Sequence, residues 1–172
     1  ELDSSGNAFA AAVTLQADDG SEAFGNITFV DSAAIDFATS AGSNGDLFIN
    51  AGTDGAVGGN LSVTATTGNI TDTVALGVTG TSSFTTSAND ATITLDNASN
   101  SFTGAITTTT NDASGTDADV TIDGGTTALI IAASTIDGDL TLTTGHASGI
   151  TDSGNVVVGG NFSATTDDNN GV

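Results

Sequence analysis

Neither lysine nor arginine occurs anywhere in the 172 residues, against 21 acidic side chains, so the formal net charge is −21. A polyanion with no fixed cation repels phosphate, which excludes nucleic acid and anionic membrane surfaces as partners. Cysteine is absent, which removes disulfides, thiolate metal sites and a cysteine nucleophile together. Proline is absent too, so nothing forbids long ladders of main-chain hydrogen bonds. No apolar run approaches the roughly 20 residues of a membrane-spanning helix. The chain opens Glu1-Leu2-Asp3 rather than with methionine and carries no signal peptide, and reads as a mature product or a piece of something longer. Trypsin would find no cleavage site, which suits exposure outside the cell.

High net charge with few aromatics is the usual mark of disorder. Here, however, 37% of residues are hydrophobic and the mean hydropathy is +0.14. The apolar residues also fall at ordered positions. Short runs alternate apolar and small polar residues with the period of half-buried strands. They include Ala12 to Leu15, Asn26 to Phe29, Asp46 to Ile49, Asn60 to Val63, Ala91 to Leu95, Asp119 to Ile122 and Asp139 to Leu142. Turn clusters such as Gly58-Gly59-Asn60 and Asp137-Gly138-Asp139 separate them. Ala128 to Ala133 does not alternate and reads as a strand buried on both faces. Thr, Ser, Gly, Asn and Asp, all poor helix-interior residues, dominate the rest.

The chain is also similar to itself. At a shift of 93, Asn7 falls on Asn100, Phe9 on Phe102, Val13 on Ile106, Ile27 on Val120 and Gly45-Asp46-Leu47 on Gly138-Asp139-Leu140. Further along the shift becomes 80, with Ile70-Thr71-Asp72 on Ile150-Thr151-Asp152 and Thr85-Thr86 on Thr165-Thr166. Two units follow, 1–94 and 95–172, the first longer by 93 − 80 = 13 residues. The excess traces to one extra short strand-turn element near 45–58, because Gly45 to Ile49 and Gly59 to Val63 are near-copies and the second unit has only one such element. Gaining or losing one strand-turn unit is easy in a stack whose rungs touch only their neighbours. The expected fold is therefore all-β, a right-handed parallel β-helix (β-solenoid), with coils of about 20 residues giving roughly eight rungs at the strand spacing. The alternative is a β-sandwich subunit that polymerises by β-strand addition, with Ala10 to Leu15 as the donated strand. A solenoid has two open ends inviting further strands, and neighbouring repeats or identical subunits stacked end to end would cover them.

Leu95-Asp96-Asn97-Ala98-Ser99-Asn100-Ser101-Phe102-Thr103-Gly104-Ala105-Ile106 resembles the LxNAxNxFxGAV element of giant bacterial filamentous-haemagglutinin-like, β-strand-repeat surface adhesins. Ala128 through Gly138-Asp139-Leu140-Thr141-Leu142 to Gly149-Ile150-Thr151-Asp152 resembles the element that follows in them. Leu2 to Phe9 and Gly59 to Asp72 repeat both in weaker form. The resemblance spans nearly the whole chain and implies secretion to the cell surface or beyond, a right-handed parallel β-helix, and work as an adhesin, fibre or surface layer, with a surface glycan or protein as receptor. The total lack of Lys and Arg departs from that pattern.

Catalytic candidates are few, and the expectation is that the protein is not an enzyme and has no catalytic residue. His146, the only histidine, sits in a Gly-rich turn, and the first unit has no counterpart to it. Paired aspartates could serve glycoside hydrolysis, yet basic residues and aromatic platforms, which usually accompany such sites, are missing. Ca²⁺ is the possible cofactor: it takes about six to eight hard oxygens, which acidic turns with free carbonyls can supply. Asp18, Asp19 and Glu22 form one such cluster, Asp112, Asp117 and Asp119 its counterpart, with Asp137, Asp139, Asp167 and Asp168 as further candidates. The other reading of these residues is a solvated acidic surface that condenses counter-ions. Five glycosylation sequons, at Asn26, Asn60, Asn69, Asn97 and Asn161, are about what chance gives in a chain this rich in Asn, Ser and Thr.

Overall fold

The computed structural model describes residues 1–9, 11, 13–16, 25–38, 46–50, 57–111 and 117–167. Eighteen short strands lie among them, every paired strand is parallel to its neighbour, and no helix occurs. Parallel neighbours cannot be joined by a tight hairpin; the chain must travel round before it returns. The strands are therefore wound into a β-solenoid rather than a sandwich. The proposed donor strand is not free either, because β1 (Val13–Gln16) is paired within the chain's own sheet.

Two sheets form the walls. Sheet I stacks β1, β4 (Asp46–Asn50), β3 (Ile35–Phe37), β6 (Ile70–Asp72), β9 (Ile93–Leu95), β12 (Val120–Asp123), β15 (Leu140–Thr144) and β18 (Phe162–Thr166), in that order. Sheet II begins with β2 (Ile27–Asp31), β5 (Leu61–Ala65), β8 (Ser82–Thr86) and β11 (Ile106–Thr109). It continues through the broken rungs β13 (Leu129–Ile131) with β14 (Ser134–Ile136), and β16 (Ile150–Asp152) with β17 (Val156–Val158). A third, narrow side pairs β7 (Gly77–Val78) with β10 (Ser101–Phe102), and Val57 bridges to Val78 below them. At about 4.8 Å per rung, the eight strands of sheet I make a stack roughly 35 Å high. Strand β9 pairs with β6 on one side and β12 on the other, so the stack runs on through residues 94 and 95.

Partner residues on successive rungs give the coil lengths: 21 from Leu61 to Ser82, 24 from Ser82 to Ile106, 27 from Ile93 to Val120, 20 from Val120 to Leu140 and 22 from Leu140 to Phe162. The steps that span β4 are longer, 34 residues from Ile27 to Leu61 and 35 from Ile35 to Ile70, and the first exceeds the next step of 21 by the same 13 residues found in the sequence. The excess contains β4. That strand doubles back to lie between β1 and β3, so sheet I gains a layer out of chain order.

Alternation fixes the core. In β2, β5 and β8 every second residue is buried, which lines the interior with Ile27, Phe29, Leu61, Val63 and Phe84, while Thr28, Ser62, Thr64, Ser83 and Thr85 face outward. Phe84 packs edge-on against both Phe37 and Phe102, with ring centroids 6.2 Å apart in each pair. The stretch around Ala128 to Ala133 corrects the expectation of a strand buried on both faces: in β13, Leu129 and Ile131 are buried and Ile130 is half-exposed. The apolar run conceals an ordinary alternation because an isoleucine occupies an outward position. Just beyond it the ladder slips by one residue, since Ile106 pairs with Ile131 but Thr109 with Thr135. The Ser134 hydroxyl fills the gap by accepting the Thr108 N–H at 3.0 Å.

Candidate functional site: stacked corners, a buried carboxylate and an open end

Each strand of the walls is entered through a corner, and the corners stack. The residue before the strand is commonly Asn or Asp, and its side-chain oxygen accepts the backbone N–H of the same position one rung further on. Asn26 accepts from Asn60 N and Asn60 from Thr81 N, both at 2.9 Å. On sheet I, Asn69 accepts from Thr92 N at 3.0 Å, Asp119 from Asp139 N at 2.7 Å, and Asp139 from Asn161 N. The backbone N–H and side-chain amide of Asn161, both donating to it, hold the Asp139 carboxyl below its ordinary value. Glycine often precedes the Asn or Asp because backbones nearly touch there; a Cβ on Gly80 would lie 2.5 Å from the Gly59 carbonyl oxygen.

The arrangement explains the glycosylation sequons. Asn at the corner, an inward apolar residue and an outward Ser or Thr spell Asn-Ile-Thr, Asn-Leu-Ser, Asn-Ile-Thr and Asn-Phe-Ser at Asn26, Asn60, Asn69 and Asn161. Asn97 lies in a turn, where its side chain accepts the Ser99 N–H. Four of the five sequons are thus the sequence of a stacked corner. The signal was visible as the recurring Gly-Asn/Asp-apolar triplet, but its meaning needed the register.

Of the proposed Ca²⁺ ligands, Asp18, Asp19, Glu22, Asp112 and Asp168 lie outside the described residues. Asp117 and Asp119 are adjacent through the bond from Asp119 N to the Asp117 carbonyl, and one carboxylate oxygen of Asp119 is engaged in the corner ladder. Asp167 donates its N–H to the Thr144 carbonyl at the end of β18. Among the described residues no three acidic or histidine side chains converge in a way that could hold a metal. His146 closes a turn: its carbonyl accepts the Gly149 N–H, and its Nδ1 accepts the Ser148 N–H at 3.0 Å.

Two acidic residues that the sequence did not single out are buried, Asp31 and Asp72. Asp72 ends β6 pointing inward, with its Oδ2 accepting from Asn100 Nδ2 at 2.6 Å and its Oδ1 from Asp96 N at 3.0 Å. Asn100, itself buried, also donates to the Leu95 carbonyl and accepts the Leu76 N–H at 2.7 Å. Burial raises the Asp72 carboxyl to about 6, against the pull of these hydrogen bonds. Asn100 is the second Asn of the Asn-Ala-Ser-Asn-Ser-Phe element, so the motif holds a turn against the core rather than presenting a ligand site.

The last described rung of sheet I is β18. All five residues of β18 are exposed, whereas in β15 beneath it Leu140, Leu142 and Thr144 are buried. Phe162 is 60% exposed although its partner Leu140 is 1% exposed. A cleft of about 410 Å³ opens there between the sheets, lined by Ile131, Leu140, Leu142, Ile150, Val156 and Phe162 among others. The outer face of sheet II is a second distinctive surface. From Thr28 and Val30 through Ser62, Thr64, Ser83, Thr85, Thr107, Thr109 and Ile130 to Thr135 and Val157, its described outward positions carry no charge.

A parallel solenoid with stacked corners defines the class, a β-solenoid repeat protein. The chain belongs to the family described as repeats of unknown function (DUF5649), whose model matches residues 50–109 and 117–171. No curated protein and no solved structure matches the chain. No helix among the described residues is long and apolar enough to cross a membrane.

Proposed function

We propose that this chain is a structural segment of a larger extracellular or cell-surface protein, a rigid rod that spaces or builds a fibre and performs no catalysis. The observation that carries this reading is the parallel stack itself, in which β6, β9, β12, β15 and β18 follow one another rung on rung in chain order. Such a stack adds length in proportion to the number of coils, as a spacer requires. The absence of Lys, Arg, Cys, Tyr and Trp, together with the engaged Nδ1 of His146, supports a non-enzymatic role. A polyanionic surface without tryptic sites supports placement outside the cell, as does the resemblance to surface adhesins. Antibody raised against this segment should label intact cells; labelling that appears only after permeabilisation would remove the surface reading.

Adhesion is the second reading, and the uncharged outer face of sheet II favours it. On a chain of net charge −21, a flat hydroxyl-bearing face free of carboxylates is suited to the uncharged hydroxyls of a glycan. Glycan-array binding that is lost in the Ser83→Asp/Thr85→Asp double variant, with its melting unchanged, tests it; an array with no binding above background rejects it.

A further inference from the structure

We infer that the outer face of sheet II binds ice, through two columns of hydroxyls carried rung on rung by β5, β8 and β11. Ice is a ligand beyond both readings above, since it requires neither a receptor nor a parent fibre. In each of these strands two outward residues flank an inward one: Ser62 and Thr64, Ser83 and Thr85, Thr107 and Thr109. Their register is unbroken, Ser62 on Ser83 on Thr107 and Thr64 on Thr85 on Thr109. Thr28 of β2 continues the first column and Thr135 of β14 the second.

Strand geometry sets the grid. The hydroxyls recur at about 4.8 Å from rung to rung and about 6.6 Å along each strand, the order of the oxygen repeats on a prism face of ice. Thr in a strand has few χ1 rotamers, so its hydroxyl and methyl are held near fixed sites before any water orders against them. A single hydroxyl that exchanges one water for another gains little, and only a preorganised array adds such contacts up. These hydroxyls are also uncommitted: none of the six is hydrogen-bonded to another described residue.

The distribution of charge points the same way. A carboxylate keeps its own tightly held water and has no place in an ice lattice. The chain carries 21 acidic residues, yet none stands at a described outward position of this face, and Asp31, which ends β2, turns inward and is buried. Sheet I is the contrast. Its outward positions include Asp36 and Asp123, and Asp36 accepts the Thr71 hydroxyl at 3.0 Å. The columns on sheet II also lack any aromatic ring on which a sugar could stack, which favours ice over a glycan as their ligand.

The test is nanolitre osmometry of the intact chain, together with partitioning between liquid and slowly grown ice. The wild type should open a gap between the melting and growth temperatures of a seed crystal, shape that crystal, and be enriched in the ice. Thr64→Tyr and Thr85→Tyr each raise a ring above the columns, and Thr64→Ala with Thr85→Ala removes two hydroxyls without adding bulk. All three should lose the gap and stay in the liquid, while Thr143→Tyr, outward on sheet I, should keep both properties. Thermal melts show that each variant folds. A wild type excluded from ice, a folded Thr85→Tyr that keeps the gap, or an equal loss in Thr143→Tyr would each overturn the proposal. Glycan-array binding by a chain that ice excludes would overturn it too and leave the adhesion reading in place.

Discussion

At the residue scale, Asp72 and Asn100 form a buried polar pair. Asp72 has a folded-state value of about 6, above its ordinary 3.8, because burial disfavours the carboxylate. A group raised in this way takes up its proton in the folded state before the unfolded one. Stability therefore rises as pH falls through 6 towards 3.8 and is constant, for this group, outside that window. The full gain is about 3 kcal/mol. Thermal melts from pH 7 to pH 4 should show the increase, and Asp72→Asn should remove the part of the slope centred near pH 6. Asn100→Ala would leave the Asp72 carboxylate and the Leu76 N–H without partners in the interior. The expected loss is about 3 kcal/mol, measured by denaturant unfolding. Phe84→Ala should cost roughly 3–5 kcal/mol, because the ring is fully buried between Phe37 and Phe102 and the stack cannot collapse around the gap.

At the scale of the element, the corner is the unit that the sequence repeats. Gly80→Val should destabilise by about 2 kcal/mol or more, since its Cβ meets the Gly59 carbonyl and the Asn60 side chain, whereas Gly6→Ala, with open space around it, should leave the melting temperature unchanged. The strands themselves were legible from alternation: seven runs read from the sequence correspond to β1, β2, β4, β5, β9, β12 and β15. Elements of two residues, such as β7 and β10, were not, because a period of two cannot show itself over so short a length. The pairing order was only half legible. The 13-residue excess in the first unit was visible, but not that β4 would double back between β1 and β3, which depends on contacts across the stack. Of the acidic residues, those in the turns were seen and the buried Asp31 and Asp72 were not. Nothing in Ile70-Thr71-Asp72 distinguishes an inward aspartate from the exposed one in Ile150-Thr151-Asp152; only the coil above it does.

At the scale of the whole molecule, 21 negative charges share one rod with no compensating cation. Screening relieves this self-repulsion, so the melting temperature should rise between low and high NaCl; a melting temperature that did not move would show that the carboxylates are already neutralised by bound ions. The stack also separates what a repeat preserves from what it changes. Ile27 on sheet II aligns in sequence with Val120 on sheet I, and Ile70 on sheet I with Ile150 on sheet II. The two family matches differ likewise: the first complete strand of one is β5 on sheet II, that of the other β12 on sheet I. Inward residues stay inward at these positions while the wall is exchanged; where β4 is inserted the wall is kept, Leu47 and Leu140 both lying on sheet I. The exchange is present on both sides of the 13-residue difference, at Ile27 and Val120 before it and at Ile70 and Ile150 after it, so the interior accepts the same repeat on either wall. One repeat thereby shows its outward residues on opposite faces of the stack in its two copies, while its inward residues go on lining the same core.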